Sequence, residues 1–585
     1  MSSNISKGLN NSQTIEEMGK VLDHPSGLFV LFFTEMWERF SYYGMRALLV
    51  LFLTASLLDG GYGWERADAL QLYALYTGLV YFTPLFGGVI ADKVLGYRNS
   101  VIIGAFIMAA GHLFMALEIP IFFYLGLGAL IIGNGLFKPN ISSIVGKLYD
   151  DPEKKDGAYT IFYMGINAGA FLGIMLCGYI GEKVGWSYGF GLAMIFMIAG
   201  AIQFWLSGDL FGKIGTMAEN DGIADTGVAD TIENIKPTKE GNGRMFTWIG
   251  IASIIAAVIY FINPLIETDS LLKTINTAVM PSAIIAAFIG IIGFIITDPT
   301  LTKIEKDRVW VITIFTLFTV FFWWAFEQAG GSMTIFAGDY TERNLVGSGA
   351  MIFKIVNTVL TVVPVAVITW VLAKLVGVTY NKISTSNIVL SVAFAAIWAI
   401  VIWMLIKEFS SDSTEVAASW FGILNSFFII TFAPLFSKFW NTGIVRSGPI
   451  KFAMGLILVA AGFAVLAFGS LSIPLGAESA SVSMIWLILA YLLHTLGELC
   501  LSPVGLSYVS KLAPVRLIGI MFGVFFLSNF LANWAAGMTG SFIDPILEEK
   551  GMSYFFMIFA VVPASAAVIL FLLKGTLKKM MHGID

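Results

Sequence analysis

The feature that most constrains this chain is a succession of about sixteen runs of roughly twenty apolar residues, each long enough to cross a bilayer as a helix. They lie near 27–57, 67–91, 99–118, 121–148, 157–180, 187–207, 244–263, 278–297, 309–338, 348–376, 386–407, 417–440, 450–470, 484–509, 515–537 and 552–574. With 57% hydrophobic and 12% charged residues among 585, the composition fits an integral membrane protein rather than a soluble one with a large core. The residues before 27 are polar and carry no secretory signal pattern, so they read as an N-terminal tail. One long polar interval, 208–243, reads as a linker between six runs and the remaining ten. Placing the N-terminus in the cytoplasm puts most loop lysines and arginines on that side. Arg66, Lys183, Lys273, Arg343, Lys407 and Lys550 alone fall on the other. This asymmetry supports an even number of crossings with both termini inside.

The first run carries charges that lipid should not tolerate: Glu35, Glu38, Arg39 and Arg46. At about 100° per residue they share one arc of a helix with Tyr42, with Tyr43 beside it. A charge at the centre of a spanning helix costs on the order of 3 kcal/mol even on the mild insertion scale. Four of them must therefore face an interior. Ionisable residues recur within later runs at Lys138, Glu327, Lys354 and Glu498, and intramembrane charges mark functional sites by default. Charges on the first, fourth, ninth and fourteenth runs imply that these helices meet around one polar cavity. Arg39, Arg46 and Lys138 suit a carboxylate; Glu327 and Glu498 suit an ammonium. A zwitterion fits both. A proton and a basic partner compete for the same carboxylate, which is the physics of proton coupling, and Glu35, Glu38 and Glu327 are the candidate carriers. Lys354 reads as a residue paired within its own helical hairpin, and His494 as a packing residue. Pro84, Pro139, Pro434 and Pro503 mark possible breaks.

No nucleophile and base set, phosphate loop or metal-ligand spacing appears. Cys177, Cys500 and the four histidines imply neither disulfide nor zinc site. An enzyme is not expected.

Several motifs resemble the proton-coupled oligopeptide transporters, a branch of the major facilitator superfamily. They are Glu35-x-x-Glu38-Arg39-Phe40-x-Tyr42-Tyr43-Gly44, Gly88-x-x-Ala91-Asp92-Lys93-x-x-Gly96-Tyr97-Arg98, Phe137-Lys138-Pro139-Asn140, Phe162-Tyr163-Met164-Gly165-Ile166-Asn167, Phe326-Glu327-Gln328, Trp420-Phe421-x-x-Leu424-Asn425 and Gly497-Glu498-x-x-x-Ser502-Pro503. The resemblance implies an all-α integral membrane protein of the major facilitator fold. Its two six-helix bundles (27–207 and 301–574) would carry an inter-bundle helix pair (244–300), with tails at 1–26 and 575–585. It implies proton-driven import of di- and tripeptides by alternating access in the plasma membrane. No cofactor beyond the proton, no nucleic acid and no obligate protein partner are expected; a related solute such as nitrate or an amino acid is the alternative cargo. By matching motifs, proton coupling falls on Glu35, Glu38, Arg39 and Glu327, and carboxylate binding on Arg39, Arg46 and Lys138. Amine and backbone contacts fall on Asn167, Asn425 and Glu498. Tyr42, Tyr43, Tyr81, Trp323, Glu327 and Ser502 would line the pocket, and Lys138 to Glu498 would form a gate salt bridge. Two features depart from the family: Ala74 stands where many members have a histidine, and the runs at 348–376 and 386–407 form an inserted pair (345–410), read as a peripheral hairpin.

Overall fold

The computed structural model describes residues 11–149, 151–217, 239–264, 266–443, 445 and 447–584. Residues 1–10 of the expected tail and 218–238 of the expected linker lie outside them. Fifteen helices are long and apolar enough to cross a membrane, and one more, α1 (Ser26–Thr54), is set apart by its own charges. In order the main segments of these fifteen, among the described residues, are α2 (Arg66–Phe82), α3 (Tyr97–Ala116), α4 (Pro120–Gly146), α5 (Pro152–Lys183), α6 (Trp186–Leu206), α7 (Lys239–Ile262), α8 (Met280–Ile296), α9 (Lys303–Phe326), α10 (Gly347–Thr379), α11 (Ser384–Phe409), α12 (Ile423–Asn441), α13 (Gly448–Gly469), α14 (Ile485–Leu512), α15 (Ile518–Gly540) and α16 (Met552–Met580). The last continues past 574, where a tail was expected.

Helices α1 to α6 form one bundle, with α1 against α5 and α6, and α3 against α4 and α6. Helices α9 and α12 to α16 form the second, with α13 against α14 and α16. The halves meet along α2 and α15, and along α5 and α12. Lipid supplies no hydrophobic drive between helices, so close backbone approach and hydrogen bonds decide where they touch. At the α2–α15 crossing a Cβ on Gly537 would lie 2.6 Å from the Cβ of Ala74. Ala74 is thus the small residue that lets the two helices come together.

Two expected features differ. Of the four prolines, Pro84 alone separates two helical segments; Pro139 and Pro434 sit inside α4 and α12. The run read as one span at 309–338 is interrupted at Glu327: α9 ends at Phe326, a tight turn covers Glu327–Gly330, and helix resumes at Ser332. Only glycine fits within this turn, since a Cβ on Gly330 would lie 2.0 Å from the Tyr73 hydroxyl.

The inter-bundle pair packs α7 on α8, and α8 on α15. Asn276, in the helical turn just before α8, donates to the Gln71 carbonyl (2.9 Å) and accepts from the Trp534 indole (3.2 Å). The inserted pair, α10 and α11, packs on the N-terminal bundle, mainly on α6. Lys354 stays within that pair, donating to the Ser411 carbonyl.

Candidate functional site

The α1 charges turn inward together. Arg39 Nε lies 2.9 Å from Glu35 Oε1 and 2.5 Å from Glu38 Oε2, and all three residues are buried. Asn134 of α4 donates to Glu38 Oε1 at 2.9 Å. The set is not closed on itself: Glu35 Oε2 and Arg39 Nη2 are buried without a hydrogen-bond partner. The Arg39 guanidinium lies over the Tyr42 ring at 5.5 Å, and the Tyr42 hydroxyl is likewise unpartnered. Unsatisfied groups of this kind are costly unless another partner arrives during function.

One turn further along α1, Arg46 reaches across to the other half. Its Nη2 pairs with Glu327, and its Nε donates to the Tyr73 hydroxyl of α2 at 2.7 Å. The break after α9 places the Glu327 carboxylate here. Tyr73 was missed from sequence, where a lone aromatic in an apolar run carries no signal.

A cavity of about 180 Å³ lies beside this pair. Of the expected residues, Tyr43, Arg46, Asn167, Glu327, Asn425 and Glu498 line it, joined by Tyr163, Thr334, Tyr491 and His494. Asn425 Nδ2 donates to Glu498 Oε2 at 2.9 Å and to Thr495 Oγ1 at 3.2 Å, fixing the carboxylate on α14. Asn167 Nδ2 is turned back to the Tyr163 carbonyl at 3.0 Å. Arg39, Tyr42, Tyr81, Lys138, Trp323 and Ser502 stand outside the cavity lining. Trp323 stacks edge-on with Phe322 and Phe326, and Ser502 Oγ has no hydrogen-bond partner. The expected Lys138–Glu498 bridge is not formed in this conformation: Lys138 Nζ sits 4.6 Å from the centre of the Tyr81 ring, while Glu498 is held by Asn425. The two halves are instead fastened at the opposite face, where α1 ends.

That fastening centres on Arg66 at the start of α2. Its Nη1 donates to Asp544 (2.8 Å) and Tyr340 (3.1 Å), and its Nη2 to Asp339 (2.6 Å) and the Glu478 carbonyl (3.0 Å), all from the C-terminal half. Nearby, Glu182 of α5 accepts from the backbone N–H groups of Ala418 and Ser419, just before α12, at 2.8 and 2.9 Å. A carboxylate at the N-terminal end of a helical segment is favourably placed.

Two helical bundles around a charged cavity define a multi-pass membrane transporter rather than an enzyme. The chain matches the POT family over residues 98–405 and 397–555. It is 32% identical to the uncharacterized transporter YclF of Bacillus subtilis (strain 168), with 96% of each chain covered. It is 31% identical to the peptide transporter YePEPT of Yersinia enterocolitica, covering 89% of this chain and 88% of that one. A crystal structure of a mutant peptide transporter POT in complex with alafosfalin superposes with a TM-score of 0.73 at 27% identity, covering 98% and 100% of the two chains. The chain belongs to the POT family.

Proposed function

We propose that this protein imports di- and tripeptides with protons across the plasma membrane by alternating access, with both termini in the cytoplasm and no cofactor beyond the proton. The observation that carries the reading is the Arg46–Glu327 pair, one residue from each half, in the wall of a cavity that also holds Asn167, Asn425 and Glu498. A proton on Glu327 removes its charge and frees Arg46 for a peptide carboxylate. Glu498, Asn425 and Asn167 stand on the other wall for the amine and backbone. Glu35, Glu38 and Arg39, with one carboxylate oxygen and one guanidinium nitrogen unpaired, form a second proton-sensitive group. Lys138 is its nearest basic neighbour on α4, available to bridge to Glu498 when the face opposite Arg66 closes. Peptide-transporting relatives and the two acidic residues at the amine end favour a zwitterion over a simple anion such as nitrate.

The test is uptake into proteoliposomes under an imposed inward proton gradient. Labelled dipeptide should accumulate, unlabelled di- and tripeptides should compete, and nitrate and single amino acids should not. Accumulation of dipeptide without a proton gradient would refute the coupling. Competition by nitrate alone would refute the substrate class.

A further inference from the structure

The helix pair α10–α11 belongs by sequence to the C-terminal half, between α9 and α12, yet its buried stripes face the N-terminal half. Phe394 meets Phe33 and Trp37 of α1 edge-on, at 5.7 and 5.5 Å. Ser386 Oγ donates to the Gln203 carbonyl of α6 at 2.9 Å. On α5, Met175 Sδ accepts from Thr361 at 3.3 Å, and Tyr179 donates to the buried Glu408 at 3.1 Å. At the end where α10 turns into α11, Lys382 is bonded to the Glu17 carbonyl.

The connections back to the C-terminal half are short, and they change partner abruptly. Strand β1 (Thr341–Glu342) pairs in parallel with Val482–Ser483, in the loop between α13 and α14. Two residues later, β2 (Asn344–Val346) pairs antiparallel with β3 (Ser413–Glu415), at the base of the inserted pair itself. Arg343 sits between the two ladders, with Nη1 donating to the Val416 carbonyl at 2.7 Å. Lys183 of α5 holds Glu415 at 2.5 Å. Gly347, which begins α10, has φ +57°, a conformation that favours glycine at such a turn.

We propose that α10–α11 rides as a rigid part of the N-terminal half throughout the cycle. It is jointed to the C-terminal half at 341–343 and 416–418, with Phe353 of α10 stacked on Trp420 at 6.0 Å beside the second joint, and so forms a strap across the face where Arg66 sits. Helices in lipid are held by packing and hydrogen bonds rather than by water exclusion. Motion with the C-terminal half would break the contacts with α1, α5 and α6 together, whereas motion with the N-terminal half asks the two joints to bend and the single Phe353–Trp420 stack to part. On this scheme Lys183–Glu415 persists when that face opens, while the Glu182 bonds to Ala418 and Ser419 break. The inference rests on the alternating-access reading.

The two are separated by cross-linking in a background with Cys177 and Cys500 replaced by alanine. In one variant Gln203→Cys and Ser386→Cys are joined by a short bis-thiosulfonate linker. In another, Gly178→Cys and Ser419→Cys are oxidised directly; a Cβ on Gly178 would lie 3.0 Å from that of Ser419. Each is compared with its own uncross-linked form for dipeptide uptake, and Phe33→Cys with Phe394→Cys serves as a second strap pair. The expected result is uptake within twofold for the strap pairs, and at least a tenfold loss, reversed by reductant, for the 178–419 pair. A tenfold loss in the strap pairs would overturn the strap alone. Unchanged uptake in the 178–419 pair would overturn alternating access, and the strap with it.

Discussion

Arg46 on α1 and Glu327 beyond the end of α9 form an ion pair that joins the two halves of the transporter inside the membrane, braced from the side by the Tyr73 hydroxyl. Both partners are buried, so neither can be removed without stranding the other. Breaking such a pair from one side costs about 3–5 kcal/mol.

Glu327→Gln should abolish proton-driven accumulation of dipeptide while leaving counterflow exchange measurable, because the amide holds the neutral state permanently. Accumulation at the wild-type level in proteoliposomes would disprove the role. Lys138→Ala should also abolish accumulation, by removing the basic group proposed to bridge to Glu498 when the opposite face closes.

Tyr73→Phe leaves the buried Arg46 Nε without its acceptor. A lost partner for a buried donor costs about 1–3 kcal/mol, so transport efficiency should fall roughly tenfold or more. Concentration-dependent uptake at two external pH values will read this, and an unchanged profile would mean that Tyr73 only fills space.

Arg66→Ala should loosen the closed face by removing its two carboxylate partners at once. Partly exposed ion pairs contribute about 0.2–1 kcal/mol each, so the expected shift in the balance of states is several-fold. A cysteine placed at Ala47 should then react faster with a membrane-impermeant thiol reagent added from the face of Arg66.

Between α8 and α9, Asp298 is partly buried, which alone would raise its pKa. Hydrogen bonds from Arg244 and Thr300 outweigh that and hold it down to about 2. A depressed carboxylate contributes stability in full above its ordinary value of 3.8, and that contribution is lost as pH falls through the folded value. The melting-temperature difference between wild type and Asp298→Asn should therefore hold from neutral pH to about 4 and shrink towards pH 2.

The membrane crossings were legible because twenty apolar residues in a row leave few alternatives to a spanning helix. Glu35, Glu38, Arg39 and Arg46 were legible because lipid forbids them on the outside. The break at Glu327 was not, because the Tyr73 hydroxyl that leaves no room for a Cβ at Gly330 comes from another helix. The expected Lys138–Glu498 bridge is absent with the Arg66 face fastened, and no sequence pattern records a conformation. The docking of α10–α11 was hidden too: a stripe of buried residues such as Leu372 and Leu375 says that a helix has an inner face, but not whose surface that face meets.

The inserted pair also closes on itself. The Val416 amide donates to the Arg343 carbonyl at 3.0 Å, so the chain leaves and re-enters the C-terminal bundle through touching residues. Everything from 344 to 415 is an excursion that one short splice would bypass without moving α9 or α12. Such a module needs from the rest of the chain a matching groove along α1, α5 and α6, with Lys183 for Glu415 and Trp420 for Phe353.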